Sequence, residues 1–168
     1  MRRTDRWPIA PKKFGRPARL RVRSLPVTFF GPEWTLCPSH EEQTVTPDRS
    51  SIEAVVQTYF DGLYEGDADK LAAAFHPSAD LRWVDKGELK ILTVPDWLAW
   101  VRKRPSAKAE GKPREDFVVT IDRSDDNTAF IKVRCQLPPR YFTDYLVAMK
   151  LADGWQIVSK SYRYDLRE

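Results

Sequence analysis

Tyr141-Phe-Thr-Asp-Tyr-Leu-Val-Ala-Met-Lys-Leu-Ala-Asp-Gly-Trp-Gln-Ile-Val-Ser-Lys-Ser-Tyr-Arg-Tyr164 contains two long runs of strand-forming residues around one turn. Ala152-Asp153-Gly154 is the turn, and its Asp-Gly pair is a strong hairpin signal. Working back along the chain, Phe117–Arg123 and Thr128–Leu137 repeat the pattern around Asp125-Asp126-Asn127. Ala79–Asp85 and Glu88–Val94 form a shorter pair across Lys86-Gly87. The second half of the chain is therefore expected to be an antiparallel sheet.

Helices precede that sheet. Ile52, Val55, Val56, Tyr59, Phe60 and Leu63 recur at three- and four-residue spacing, which puts them on one buried stripe. Ser50 or Ser51 can cap this helix, and Gly66 breaks it. Asp67 caps a second helix with Leu71, Ala74 and Phe75 inward, ended by Pro77. Pro95 and Asp96 open a third, with Trp97, Leu98, Trp100 and Val101 on its apolar side. The expected fold class is α+β: a curved, cone-shaped antiparallel sheet packed by about three N-terminal helices, with a concave space between the layers.

Composition sets the outer limits. Of the 168 residues, 42% are hydrophobic and 12% aromatic, enough for a core. Nowhere does the sequence approach the ~18 consecutive apolar residues of a membrane helix, and no signal-peptide apolar stretch opens it. Cys37 and Cys135 have no metal-ligand spacing, and the two histidines, His40 and His76, have no second ligand beside them. No metal and no cofactor are expected, and the cytoplasm is the expected compartment.

Residues 1–48 read as a basic, proline-rich tail and 49–168 as the domain. Seven of the thirteen prolines fall in the first fifty residues, where ten Lys/Arg face five Asp/Glu. Proline fixes φ and removes a donor, so regular elements are interrupted. Val27-Thr-Phe-Phe30 is the one stretch here able to add an edge strand. Lys12–Arg23 is basic, but no aromatic platform or groove-reading motif accompanies it, which weighs against nucleic acid as a partner.

A family resemblance lies in Tyr59-Phe-Asp-Gly-Leu-Tyr-Glu-Gly-Asp67, Leu71 and Phe75-His76-Pro77. These resemble the opening of nuclear-transport-factor-2-like domains. Leu92-Thr93, Arg104-Pro105-Ser106, Phe142-Thr143-Asp144-Tyr145-Leu146 and Asp153-Gly154-Trp155-Gln156-Ile157-Val158-Ser159-Lys160 resemble the bacterial subgroup catalogued under lumazine binding. The resemblance spans Ile52 to Tyr164 and implies a cystatin-like fold and a homodimer through the outer face of the sheet. It implies a domain holding a small aromatic or apolar ligand. The alternatives are an enzyme of the same fold (a SnoaL-like cyclase, an isomerase or a dehydratase) and a protein-interaction module.

Similarity to ketosteroid isomerase assigns positions one by one. Tyr59, eight residues before Asp67, matches the oxyanion-binding tyrosine. The position of the catalytic aspartate is taken by Trp83, with Asp85 two residues on, and the second oxyanion donor corresponds to Val147. Two of the three groups are missing or displaced, which costs an oxyanion hole a donor worth about 2.7–4 kcal/mol. Strand alternation then gives an inward set of Lys160, Tyr162 and Tyr164 on the last strand, and of Tyr145, Val147 and Met149 on the one before.

The candidate catalytic residues are Asp85, Tyr59 and Lys160; Trp83, Tyr145, Val147, Tyr162 and Trp100 are the candidate ligand-binding residues. Lys160 and Asp85 form the expected central pair, since a buried lysine needs a carboxylate or loses its proton. A structural salt bridge would give the same pattern. Asp144, next to Tyr145, is expected on the opposite, outer face. His76 is expected to cap a helix end rather than act as a base.

Overall fold

The structure, a computed structural model, describes residues 47–167. The expectations for the basic tail and the Val27–Phe30 strand lie outside these residues. Three helices and six strands follow in the order α1 (Pro47–Glu65), α2 (Ala68–Ala74), β1 (Phe75–Asp85), β2 (Glu88–Thr93), α3 (Val94–Val101), β3 (Asp116–Arg123), β4 (Thr128–Leu137), β5 (Arg140–Leu151) and β6 (Gly154–Leu166). The strands form one sheet in the order β2-β1-β6-β5-β4-β3. All neighbours run antiparallel except β1 and β6, which are parallel and are joined through β2, α3 and β3 to β5.

Helix α1 starts at Pro47, so Ser50 and Ser51 lie inside its first turns instead of capping it. Proline suits the first helical turn because its missing N–H has no partner there in any case. Asp48 in that turn complements the helix dipole. It also binds Lys150 Nζ at 2.7 Å and Arg123 Nη2 at 3.3 Å, which ties the helix start to the strands.

Asp67 caps α2 as expected, accepting from the N–H groups of Asp69 and Lys70 at 2.9 and 3.0 Å. The helix ends at Ala74, and Phe75 and His76 already belong to β1. His76 is therefore not a helix cap. Its Nδ1 lies 2.7 Å from Ser78 Oγ and accepts from the Ser78 N–H, within a strand irregularity between Phe75 and Asp80.

Two glycines set how closely the helices pack. A Cβ on Gly62 would lie 2.8 Å from Leu71 Cγ, so α1 and α2 touch backbone to side chain at this point. Gly66 has a φ of +66°, and a Cβ there would meet Ser106 Cβ at 2.8 Å. The core joins Ile52, Val56, Tyr59 and Phe60 of α1 to the inner rows of the sheet, including Leu81, Ile131, Val133, Leu146 and Ile157. Each such fully buried side chain contributes about 1.5–3 kcal/mol against its exposed state.

Candidate functional site: a buried lysine, aspartate and tyrosine

The register between β5 and β6 decides which side chains meet. Beside the hairpin turn, Leu151 pairs with Gly154 and Ala148 with Ile157. Between Val147 and Ala148 the pairing slips, so that Val147 stands opposite Ser159 and Leu146 opposite Lys160. Val158 is the extra residue of a β-bulge. Above it, Trp155 and Ile157 face inward; below it, Lys160 and Tyr162 do. Without the bulge, straight counting from the turn would place Lys160 opposite Tyr145.

The inward row of β5 is consequently Phe142, Asp144, Leu146 and Ala148, all buried. This corrects four expectations. Tyr145 is 38% exposed on the outer face, and Val147 and Met149 share that face with it. Asp144, expected outside, is 0% exposed.

Lys160, 4% exposed, also pairs differently from expectation. Its Nζ donates to Asp144 Oδ2 at 3.0 Å and to Tyr59 Oη at 2.5 Å. Asp85 is not its partner. The β1 residue level with Lys160 is Leu81, and Asp85 lies four residues further, roughly 13 Å along the strand. There Asp85 stands opposite Glu88 at the β1–β2 turn.

Tyr59, 0% exposed, reaches the cluster from α1. Its hydroxyl donates to Asp144 Oδ2 at 2.6 Å while accepting from Lys160. The Cys135 thiol of β4 donates to the same oxygen at 3.5 Å, and Cys135 is a free cysteine. Three donors thus converge on Oδ2. Oδ1 of the same carboxylate is buried with no hydrogen-bond partner. A carboxylate has about four acceptor sites, so half of this one is unused.

Aromatic rings close in on the lysine. Its Nζ is 4.8 Å from the ring centre of Tyr162, 5.0 Å from Tyr59, 5.7 Å from Phe142 and 6.0 Å from Trp97. Two of the three ammonium N–H bonds go to oxygen, and the ring faces receive the remaining charge; a desolvated cation–π contact contributes up to about 2 kcal/mol. Burial, and then the Asp144 charge, pushes the Tyr59 hydroxyl well above its ordinary pKa. The same two causes raise the Cys135 thiol, which is therefore a poor nucleophile.

The ring wall continues away from the lysine. Tyr162 lies 5.5 Å from Trp83 and 5.9 Å from Phe142, and Phe142 lies 5.6 Å from Tyr164, which is 42% exposed. Trp83 and Tyr162 thus stand together on the inner face, with Tyr59 and Lys160 deeper. Trp100, half-buried, packs at the edge of the core under the guanidinium of Arg104. Sequence reasoning named Lys160, Tyr59 and Tyr162 but missed Asp144 and Cys135. The available signal was the parity of β5: Phe142, Asp144, Leu146 and Ala148 alternate with more polar or longer side chains, and three of the four are apolar.

Helices on the inner face of a six-stranded sheet, with a polar cluster on that face, define a nuclear-transport-factor-2-like domain. The chain belongs to the family described as "Putative lumazine-binding", which matches residues 47–163. A protein of unknown function from Silicibacter pomeroyi is similar, with TM-score 0.64 and 22% identity over 73% of this chain and 100% of that one. A second, from Shewanella baltica, has TM-score 0.65 and 20% identity over 75% of this chain and 100% of the other. A ketosteroid isomerase-like protein from Erwinia carotovora atroseptica has TM-score 0.57 and 13% identity over 72% and 98% of the two chains. No curated protein matches the chain. Among the described residues no helix is long and apolar enough to cross a membrane, and no group of metal-ligating side chains is present.

Proposed function

We propose that the domain binds a small aromatic or apolar molecule against the inner face of its sheet, and that the ligand donates a hydrogen bond to Asp144 Oδ1. The observation that carries this reading is that oxygen: buried, belonging to a charged pair, and without a donor. Leaving such a group unsatisfied costs about 1–3 kcal/mol or more. The ring wall from Tyr162 to Tyr164 supports an aromatic ligand, because small-molecule sites combine apolar walls with a few convergent polar groups. The family's description agrees in kind.

Catalysis by an enzyme of the same fold is the second reading, favoured by the 2.5 Å contact between Lys160 and Tyr59. In it Asp144, not Asp85, is the carboxylate beside the reacting groups. The first reading is the stronger, because the Tyr59 proton is already engaged by Asp144 and is not free to stabilise a developing oxyanion.

We further propose a homodimer through the outer face. Phe117, Phe130, Tyr145 and Met149 are exposed there, and Phe130 and Tyr145 stack at 5.8 Å. An apolar row of this kind can meet its own copy across a two-fold axis. Native mass spectrometry of the purified protein reads both the subunit count and any retained molecule.

The ligand test is a thermal-shift panel of lumazine, 1,3-dimethyllumazine, riboflavin and progesterone. Lumazine is expected to raise the melting temperature more than its dimethyl derivative, which lacks the ring N–H donors. No shift with any of the four, and no co-purifying molecule, would contradict the binding reading.

A further inference from the structure

Two buried tyrosines flank Lys160, and they differ in how their hydroxyls are used. That of Tyr59 is engaged twice, donating to Asp144 Oδ2 and accepting from Lys160 Nζ. Tyr162 is only 8% exposed, yet among the described residues its hydroxyl has no hydrogen-bond partner. A buried tyrosine hydroxyl ordinarily finds one, because it carries both a donor and acceptor lone pairs. Tyr164, further along the ring wall, is 42% exposed, where water competes for its hydroxyl.

The β5–β6 register fixes where the Tyr162 side chain stands. Tyr162 is the cross-strand partner of Asp144, and both are on the inner face. Directly opposed residues hold their Cβ atoms about 4.5–5.5 Å apart, so one small molecule can touch both side chains. A shared ammonium ties them further: Lys160 Nζ is 3.0 Å from Asp144 Oδ2 and 4.8 Å from the Tyr162 ring centre. The Tyr162 ring is itself held between Trp83, at 5.5 Å, and Phe142, at 5.9 Å.

Charge decides the role of each group. Asp144, ionised in its pair with Lys160, offers Oδ1 as an acceptor only. Burial, then the Asp144 charge, then Tyr164 push the Tyr162 phenol above its ordinary value, with Arg140 as the smallest effect and the opposing one. The phenol therefore keeps its proton at neutral pH and has it to give. The Lys160–Asp144 pair carries no net charge, so this part of the site suits a neutral molecule.

We propose that Tyr162 is the specificity-determining donor of this site: its hydroxyl binds a carbonyl of a neutral ring compound whose N–H binds Asp144 Oδ1. This rests on the binding-domain reading and adds a second polar contact and the neutrality of the ligand. Cyclic amides are the chemical class that meets both groups. Tyr59 cannot take this part, since its proton is held by Asp144.

The test compares three bicyclic probes by isothermal titration calorimetry on the full chain: 2-quinolinone, with N–H and carbonyl; its N-methyl derivative, with carbonyl alone; and indole, with N–H alone. 2-Quinolinone is expected to bind about tenfold more tightly than either of the others, the worth of one well-made hydrogen bond. Tyr162→Phe keeps the ring and removes the hydroxyl. It should abolish the preference for 2-quinolinone over indole while changing the affinity for indole less than about twofold. Circular dichroism and the melting temperature establish that the variant is folded. No preference for 2-quinolinone in the unaltered protein, a preference that survives Tyr162→Phe, or an equal loss for both probes overturns the role of Tyr162 and leaves the binding-domain reading standing. Binding of none of the three overturns both.

Discussion

Asp144 and Tyr145 are adjacent on β5 and show opposite faces of the sheet. On the inner face a carboxylate is wholly buried with a lysine and a tyrosine; on the outer face an aromatic ring is 38% exposed. Ordinary patterning would put the ring inside and the charge outside. A chain that breaks a local rule at one place, and satisfies it along the rest of the strand, marks that place as functional or strained. The inner face holds a charged cluster inside an otherwise apolar core. The outer face keeps apolar surface in contact with water, which suits a partner. The proposed ligand contact and the proposed subunit contact therefore use opposite faces.

The comparison breaks most easily on the inside. Asp144→Ala strands a buried ammonium, and losing one partner of a buried pair costs about 3–5 kcal/mol. Guanidinium-chloride unfolding should show a lower midpoint at an unchanged slope. Replacing both partners, Asp144→Leu with Lys160→Met, should recover most of that loss, because two apolar groups of similar volume leave no unpaired charge. A double variant no more stable than Asp144→Ala would show that the pair is not an isolated unit.

Gly62→Ala should cost about 1–3 kcal/mol by forcing a methyl group against Leu71 where 2.8 Å separates them. This probes the helix layer that supports Tyr59. An unchanged melting curve would mean that α1 and α2 separate freely.

Alkaline titration probes the inner face through its buried tyrosine. Tyr59 holds its proton to a higher pH in the fold than in the unfolded chain, where its value is near 10.0. Its contribution is fully present below that pH, and it declines as the pH rises toward the folded value. Stability should therefore fall above about pH 10. The Tyr59 phenolate band should appear only together with unfolding. Removing Tyr59 as Tyr59→Phe should flatten this part of the pH profile.

The smallest effect on the fold is expected outside. Tyr145→Lys, at an exposed strand position, should change the unfolding free energy of one subunit by less than about 0.5 kcal/mol. It should still shift the subunit count toward monomer in native mass spectrometry. A large loss of stability with no change in assembly would place Tyr145 in the core's service instead.

Much of this contrast is legible in the sequence, and the illegible part has one physical source. Strand β4 occupies Thr128–Leu137 as read, and the hairpin turn, the Asp67 cap and the α1 stripe agree with their patterns. Lys160, Tyr59 and Tyr162 come together as expected. Asp144 does not follow from the pattern because a bulge carries no clear sequence mark when its extra residue is a valine. One unmarked insertion at Val158 reverses which residues of β5 share a face with Lys160, and with it the choice between Asp144 and Tyr145. Asp85 seemed a suitable partner because it shares a strand face with Trp83. The parallel register of β1 on β6, which puts Leu81 beside Lys160, depends on long-range pairing that local spacing does not contain.

The buried lysine can be observed directly. In a uniformly nitrogen-15-labelled sample at neutral pH, Lys160 should give a side-chain ammonium resonance protected from exchange with water. That resonance should vanish in Lys160→Met and lose its protection in Asp144→Asn. If every lysine ammonium in the folded protein exchanges at the rate of a solvent-exposed one, Lys160 is not enclosed with Asp144 and Tyr59, and the inner-face site falls with it.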